Sequence, residues 1–442
     1  MVKKVFIFIA IGLFIGTAFS QSINIPKLDS LFQILGEKNK FMGSVSIFQN
    51  GKQVYNRNVG YSFLLEDNKV LNNSSTKFQI GSITKMFTAA IIFQLIDAKK
   101  LTLETKLSNY FPEIPNSDKI SIKILLGHKS GLFDFVNDTK DKNYLTKKRD
   151  KKDLIKLIIT GKPHFKPNTS MAYCNSGYLL LSYIIEKITS QKYKDVVQER
   201  ICNKINLLNT FSCAINDTNS HIATPYSFNG KWNEVKDFYF PNVQGVGDIV
   251  STGSDLIIFN EALLAGKLFS KLNLENMKRV SGSQFCLGIM RIPFGQKIAY
   301  GHGGDSYGTH SIVASFEKDS LSIACTDNGE VIELNDISYA IAKICFKKNY
   351  EIPTFNTTEL KTEDLDQYLG VYTSSELSLK ITITKDNIIL NAQAKGQSKF
   401  QLDAITKDKF EYKSAGIKLE FLTDKNQMIL KQGGGKYKLT KK

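Results

Sequence analysis

Residues 78–96 read FQIGSITKMFTAAIIFQLI. Ser82 follows Gly81, Lys85 comes three positions later, and the remainder is almost unbroken apolar sequence. The run predicts a helix surrounded by core, with a lysine placed one turn into it. Removal from water disfavours the ammonium form of a lysine. Ser82 and Lys85 are three apart, so they share a helix face. At a helix N-terminus the backbone N–H groups lack partners and the dipole favours negative charge. A neutral amine beside a serine hydroxyl is a general base, and the N–H of Ser82 is placed to stabilise an oxyanion. The competing expectation is a lysine that buries its stem and extends its ammonium to solvent.

Ser-x-x-Lys occurs three times, at Ser74/Lys77, Ser82/Lys85 and Ser315/Lys318. Only Ser82 opens an apolar helix; the others fall in a polar loop and in a strand pattern. Downstream, Tyr173-Cys-Asn175 stands between a turn and a helical pattern. A tyrosine near a cationic lysine would ionise more easily, and an asparagine NH₂ can donate to a substrate carbonyl. A third stretch, GHGGDSYGTH (301–310), has Gly303 and Gly304 where a strand must approach a ligand closely. Gly304-Asp-Ser306-Tyr-Gly308 also fits G-x-S-x-G, but that elbow needs a strand-to-helix turn and a later histidine. Here a strand pattern follows, and the only later histidine is His310. The histidines His128, His164, His221, His302 and His310 include no H-x-x-x-H pair, so no metal site is expected.

The chain has 442 residues and a formal net charge of +16, which falls by two if Lys3 and Lys4 leave with a leader. Lys3 and Lys4 precede VFIFIAIGLFIG, and TAFS follows just before Gln21. That is the pattern of a secretory signal peptide over 1–20, cleaved near Ser20-Gln21. The apolar run is shorter than the ~20 residues of a spanning helix, which disfavours a retained anchor. An exported, periplasmic or extracellular protein is expected. Its spread positive charge favours loose attraction to an anionic cell envelope, and no nucleic-acid motif accompanies it. Six scattered cysteines make neither a dense disulfide framework nor a CxxC site. A Cys202–Cys213 bridge is allowed by proximity alone, and Cys174 reads as a small buried filler.

Two β-prone runs flank Asn50-Gly51, the signature of a type I′ hairpin. Helical periodicity dominates from about 80 to 270, for example SGYLLLSYIIEKITS (176–190) and STGSDLIIFNEALLAG (251–266), the second opening with Ser and Asp as cap residues. Strand patterns return in FCLGIMRIP, KIAYGHGG, THSIVASFEK and SLSIACTDN, followed by a helix over 334–346. The expected fold class is α+β. One antiparallel sheet takes strands from both ends of the catalytic region, flanked by helices and a mainly helical subdomain. A linker over 351–362 and a small all-β domain over 363–442 follow the main unit of 21–350. In that last domain YLGVYTS, SLKITITKDNIILNA, KFEYKS and IKLEFLTDKNQMILKQ read as strands.

In order, Ser82-Ile-Thr-Lys85, Tyr173-Cys-Asn175 and His302-Gly-Gly304 resemble the three motifs of the serine β-lactamase and penicillin-binding-protein superfamily, in its class C-like branch of D-alanyl-D-alanine carboxypeptidases and esterases. LLGHKSGLFDF (125–135) and GVGDIVSTGSDLIIF (245–259) are similar flanks, and the likeness spans about 30–345. The C-terminal part more loosely resembles an appended lipocalin-like domain. The resemblance implies that Ser82 is acylated and that Lys85 and Tyr173 relay its proton and activate the deacylating water. Lys85 would deprotonate Ser82 or Tyr173. Asn175, His302, Gly303 and Gly304 would bind substrate, and the N–H groups of Ser82 and Asp305 would form the oxyanion hole. His302 replaces the lysine of the third motif, and a histidine of ordinary pKa, near 6.5, holds a substrate carboxylate weakly at neutral pH. The expectation is an acyl-enzyme hydrolase of a small-molecule or peptide amide, peptide or ester, needing no cofactor. A true β-lactamase and an inactive penicillin-binding sensor are the alternatives.

Overall fold

The computed structural model describes residues 23–65, 68–140, 144–212, 221–235, 238–355, 360–374, 379–397, 399–412 and 415–442. The expected leader and cleavage point, and Cys213, therefore lie outside the described residues. Helix α1 (Ile25–Glu37) leads into strands β1 (Phe41–Gln49) and β2 (Lys52–Val59). Asn50 and Gly51 join them with φ of 54° and 71°, as the type I′ signature requires. A largely helical stretch follows, including α2 (Thr84–Asp97), α3 (Asn175–Thr189) and α4 (Gly253–Leu264). Strands β3 (Met290–Phe294), β4 (Lys297–Asp305), β5 (His310–Phe316) and β6 (Leu321–Glu330) precede α5 (Leu334–Cys345).

The two groups of strands form one antiparallel sheet in the order β3-β4-β5-β6-β1-β2. Its centre is the pairing of β1 with β6, which joins the early strands to the late ones. One face packs on α1 and α5 through Leu31, Phe32, Val45, Ile323, Ile337 and Ile341. The other packs on α2 and α4, whose Phe87 and Phe259 rings stack 3.7 Å apart. Helix α2 has no polar face, and 11 of its residues are buried, Lys85 among them. The cap of α4 is Thr252, whose hydroxyl accepts from Asp255 N at 3.2 Å; the serine expected there is one turn position off.

The C-terminal strands close into an antiparallel barrel between Gly370 and Lys441. SLKITITKDNIILNA divides into two strands, Lys380–Asp386 and Ile389–Ala394, at Asn387 with φ 54°. Strands Phe400–Thr406 and Gly435–Lys441 were not distinguished by pattern. The described cysteines, Cys174, Cys202, Cys286, Cys325 and Cys345, are buried and free. No helix among the described residues is long and apolar enough to cross a membrane.

Candidate active site

Strand Phe78–Gln79 runs into a 3₁₀ turn, Gly81–Ile83, which opens α2. Gly81 has φ +50°, and a Cβ there would lie 2.7 Å from Asp305 O and 2.8 Å from Asp305 N. Glycine is therefore needed where this turn meets the end of β4. Ser82 follows at the mouth of a cleft, and Lys85 is fully buried one turn inside. Lys85 Nζ lies 3.0 Å from Ser82 Oγ and 3.0 Å from Val246 O. It also sits 5.0 Å from the Tyr173 ring centroid and 5.8 Å from that of Tyr178. Burial brings its pKa down to about 7, against an opposing pull from the Asp134 carboxylate. The ammonium does not reach solvent, which removes the alternative of an extended side chain. In its neutral form the same amine can accept the Ser82 proton.

The loop that supplies Val246 is held from both sides. Thr88 Oγ1 donates to Gly245 O at 2.7 Å. The buried Asp248 carboxyl accepts from Gly245 N at 2.8 Å and from Ser212 Oγ at 2.5 Å. Burial raises that carboxyl to about 6. These contacts fix the acceptor that aims the Lys85 amine.

Tyr173 precedes α3, is half-buried with its hydroxyl oxygen shielded from solvent, and stacks on His128 with ring centroids 4.3 Å apart. Its hydroxyl completes no hydrogen bond, although Ser82 is near enough to favour its ionised form. Burial outweighs that help and pushes the phenol well above its usual range. The expectation that Lys85 would make Tyr173 easier to ionise is therefore wrong: desolvation dominates the neighbouring charge. His128 accepts from Cys174 N through Nδ1 at 3.1 Å, so it is neutral with the proton on Nε2. Burial, then the Lys85 charge, depresses its pKa. Cys174 is the buried filler expected, its thiol pushed up to about 12 by burial.

Asn175 lies on α3 with its Nδ2 3.2 and 3.0 Å from the two carboxylate oxygens of Asp134. Asp134 also accepts from Asn175 N at 3.2 Å. A carboxylate only accepts, so at least one hydrogen of the asparagine NH₂ points at Asp134. Neither Asp134 nor His128 carried a role in the sequence reading. Both fall in the quoted stretch 125–135, and that flank was the available signal.

On the opposite wall, β4 carries His302, Gly303, Gly304 and Asp305. A Cβ on Gly304 would lie 2.0 Å from Ile80 O, so only glycine lets the strand dock on the Ser82 turn. His302 is buried, its Nδ1 is 2.5 Å from Gly303 O, and burial lowers its pKa to about 4. It is neutral well beyond what an ordinary histidine would be. Ser306 N donates to Thr309 O at 2.9 Å, making these a hydrogen-bonded pair of the β4–β5 hairpin. The next pair, Asp305 and His310, is then of the non-bonded kind, and the Asp305 N–H turns away from β5 toward Gly81 and Ser82. The hairpin at Tyr307–Gly308 is not a strand-to-helix turn, so the G-x-S-x-G match is accidental. Ser315 is structural, accepting from Asn260 Nδ2 at 2.8 Å.

Ser82, Tyr173 and His302–Asp305 thus line one cleft, Ser82, Tyr173 and Asn175 line a second beside it, and Lys85 lies buried next to Ser82; fold and site together define a serine hydrolase. Comparison with known proteins gives the family. The family model described as Beta-lactamase matches residues 28–333, and the chain belongs to that family. Penicillin-binding protein 4* of Bacillus subtilis (strain 168) is 25% identical over 435 residues, covering 89% of this chain and 93% of its own. A teichoic acid D-alanine hydrolase of Staphylococcus aureus is 27% identical over 55% of this chain and 59% of its own. Among solved structures, the D-amino acid amidase of Ochrobactrum anthropi SV3 superposes with a TM-score of 0.63 at 22% identity, over 72% of this chain and 98% of its own. An octameric penicillin-binding protein homologue from Pyrococcus abyssi superposes with a TM-score of 0.67 at 19% identity, over 94% of this chain and all of its own.

Proposed function

We propose that the protein is an exported hydrolase that cleaves an amide or ester through an acyl-enzyme on Ser82. The observation that carries this is the fully buried Lys85 amine 3.0 Å from Ser82 Oγ, with its pKa near 7. Neutral Lys85 takes the Ser82 proton as Oγ attacks the substrate carbonyl. The N–H groups of Ser82 and Asp305 receive the oxyanion. Tyr173, kept protonated by burial, is suited to pass a proton to the leaving group. Water then attacks the acyl-enzyme, with Lys85 and Tyr173 reversing roles, and the acid is released. Asn175, His302, Gly303 and Gly304 line the substrate.

Among the described residues, neither cleft at Ser82 is lined by arginine or by a lysine, and His302 is neutral. The cation that does line the cleft among the described residues, His310, is already paired with the Asp327 and Glu330 carboxylates, so a substrate carboxylate finds no free cationic partner there. This supports an aminoacyl ester or amide over a β-lactam or a free C-terminal D-Ala-D-Ala peptide. The named activities of the staphylococcal and Ochrobactrum relatives agree with that class. The leader pattern supports export. The barrel's separate core supports a second domain over 363–442 beside the hydrolase domain over 21–350.

Labelling with a fluorescent fluorophosphonate and a fluorescent penicillin, with Ser82→Ala as control, tests the reading. A Ser82-dependent adduct is expected with the fluorophosphonate. No such adduct with either probe would make the protein a binding or sensor relative. Faster turnover of D-alanyl esters and amides than of nitrocefin or D-Ala-D-Ala peptides would support the substrate class, and the reverse would overturn it.

A further inference from the structure

We infer that His310, Asp327 and Glu330 bind one divalent cation, zinc in the first instance, on the sheet face opposite Ser82. Side chains alternate along a strand. In β5, Ile312 and Ala314 pack in the core beneath α5, whereas the Ser311 hydroxyl donates to Ile80 O on the α2 side. His310 shares the face of Ile312. In β6, Ile323 and Cys325 belong to that same core, and Asp327 follows them in step. Glu330, three residues further, would ordinarily point the other way. A bulge prevents this: Met42 pairs with Gly329 and Gly43 with Asp327, so Asn328 is the extra residue. The Asn328 amide anchors the bulge by donating to Tyr61 O at 2.9 Å and Thr224 O at 2.8 Å. Asp327 and Glu330 are thereby turned to the same side, over His310.

His310 Nδ1 is 3.1 Å from Asp327 Oδ1 and 3.5 Å from Glu330 Oε1. Ligands about 2.0–2.2 Å from a tetrahedral zinc stand roughly 3.3–3.6 Å apart, close to these separations. One imidazole nitrogen with two carboxylate oxygens is a donor set that zinc accepts, with a fourth position open. A second observation points to a ligand. Asp327 is wholly buried, and its Oδ2 has no hydrogen-bond partner; Glu330 Oε2 is also buried and unpartnered. A protonated His310 shared between the two carboxylates meets one oxygen of each and leaves these two unmet. Buried polar atoms without partners are rare and costly. Asp305, the cross-strand neighbour of His310, adds a further acidic group, and the Leu334 N–H favours ionised Glu330. The cluster opens onto a cleft of about 560 Å³ that passes the end of β4 and also reaches Ser82 and His302. A cation can therefore enter from solvent, and its open position faces the cleft.

Isothermal titration of the chelator-treated full chain with zinc chloride tests the site. Saturable binding of one equivalent is expected, with proton release because each ligand must be deprotonated to coordinate. Glu330→Gln, at the cleft margin, and His310→Gln should each weaken binding at least about tenfold, with folding checked by circular dichroism. If one variant fails to fold, the other decides. No saturable binding by the wild type would overturn the site. So would undiminished affinity in a folded variant, because the metal would then be held elsewhere.

Discussion

The hydrolase region and the C-terminal barrel are both well packed, yet their interiors are chemically unlike. The barrel core is made of Ile381, Ile383, Leu390, Phe410, Leu419, Met428 and similar side chains, and among its described residues Asn391 is the only buried polar side chain that is not aromatic. The hydrolase region buries Lys85, His128, Asp134, Asp248, His302 and Asp327. Burying a titratable group costs stability unless it is paired or neutralised. Among its described residues the barrel buries only neutral, hydrogen-bonded tyrosines of this kind, whereas the hydrolase region buries charged or imidazole groups where β4, α2 and α3 converge and, at Asp327, across the sheet. The difference teaches where chemistry resides: perturbed groups cluster at functional sites, and the barrel has the interior of a purely structural or docking element.

The strongest way to break this contrast is to remove the buried amine. Lys85→Ala should slow fluorophosphonate labelling of Ser82 by about 10²–10⁴-fold, the usual worth of a general base. A mutant that labels at the wild-type rate would show that the burial has no catalytic purpose. Asp134→Ala should follow at about 10²-fold in turnover with a smaller effect on labelling, because it frees Asn175 to move. Unchanged turnover would show that the Asp134–Asn175 contacts are only structural. The pH dependence sharpens the comparison. Only the deprotonated amine accepts a proton, so labelling should rise with pH through about 7 and level above it. Asp134 favours the charged amine, so Asp134→Asn should move that rise to lower pH. A shift to higher pH would contradict the assigned sign. The smallest effect belongs to the barrel. Deleting 363–442 should change labelling by less than about twofold, although Lys40 loses its Asp403 partner. A folded, soluble truncation that no longer labels would mean the barrel shapes the site.

Much of this architecture was legible from residue patterns. The β1–β2 hairpin was marked by Asn50-Gly51, the buried helix by its unbroken apolar run, and the late strands by alternation in 310–330. The Ser82–Lys85 pair was legible because i, i+3 neighbours on a helix meet whatever surrounds them. Asp134, His128 and Asp248 were not, because their roles depend on loops folding back onto α2 and α3. The depth of Tyr173 and His302 was also invisible. Sequence shows which charge is near, but only packing shows how little water remains, and that decided both pKa directions. His310, Asp327 and Glu330 escaped a search for linear metal spacing because they converge across strands through a bulge. The final barrel strand was hidden by its lysines, since an outward face rich in charge resembles a solvated tail.

The central claim is that burial discharges Lys85 near neutrality and so readies Ser82. Its most direct test is the ionisation of that amine, followed by NMR in protein carrying ¹³C-labelled lysine, with the signal assigned by comparison with Lys85→Ala. The account predicts a titration midpoint near 7. A midpoint at the ordinary lysine value of about 10 would contradict it.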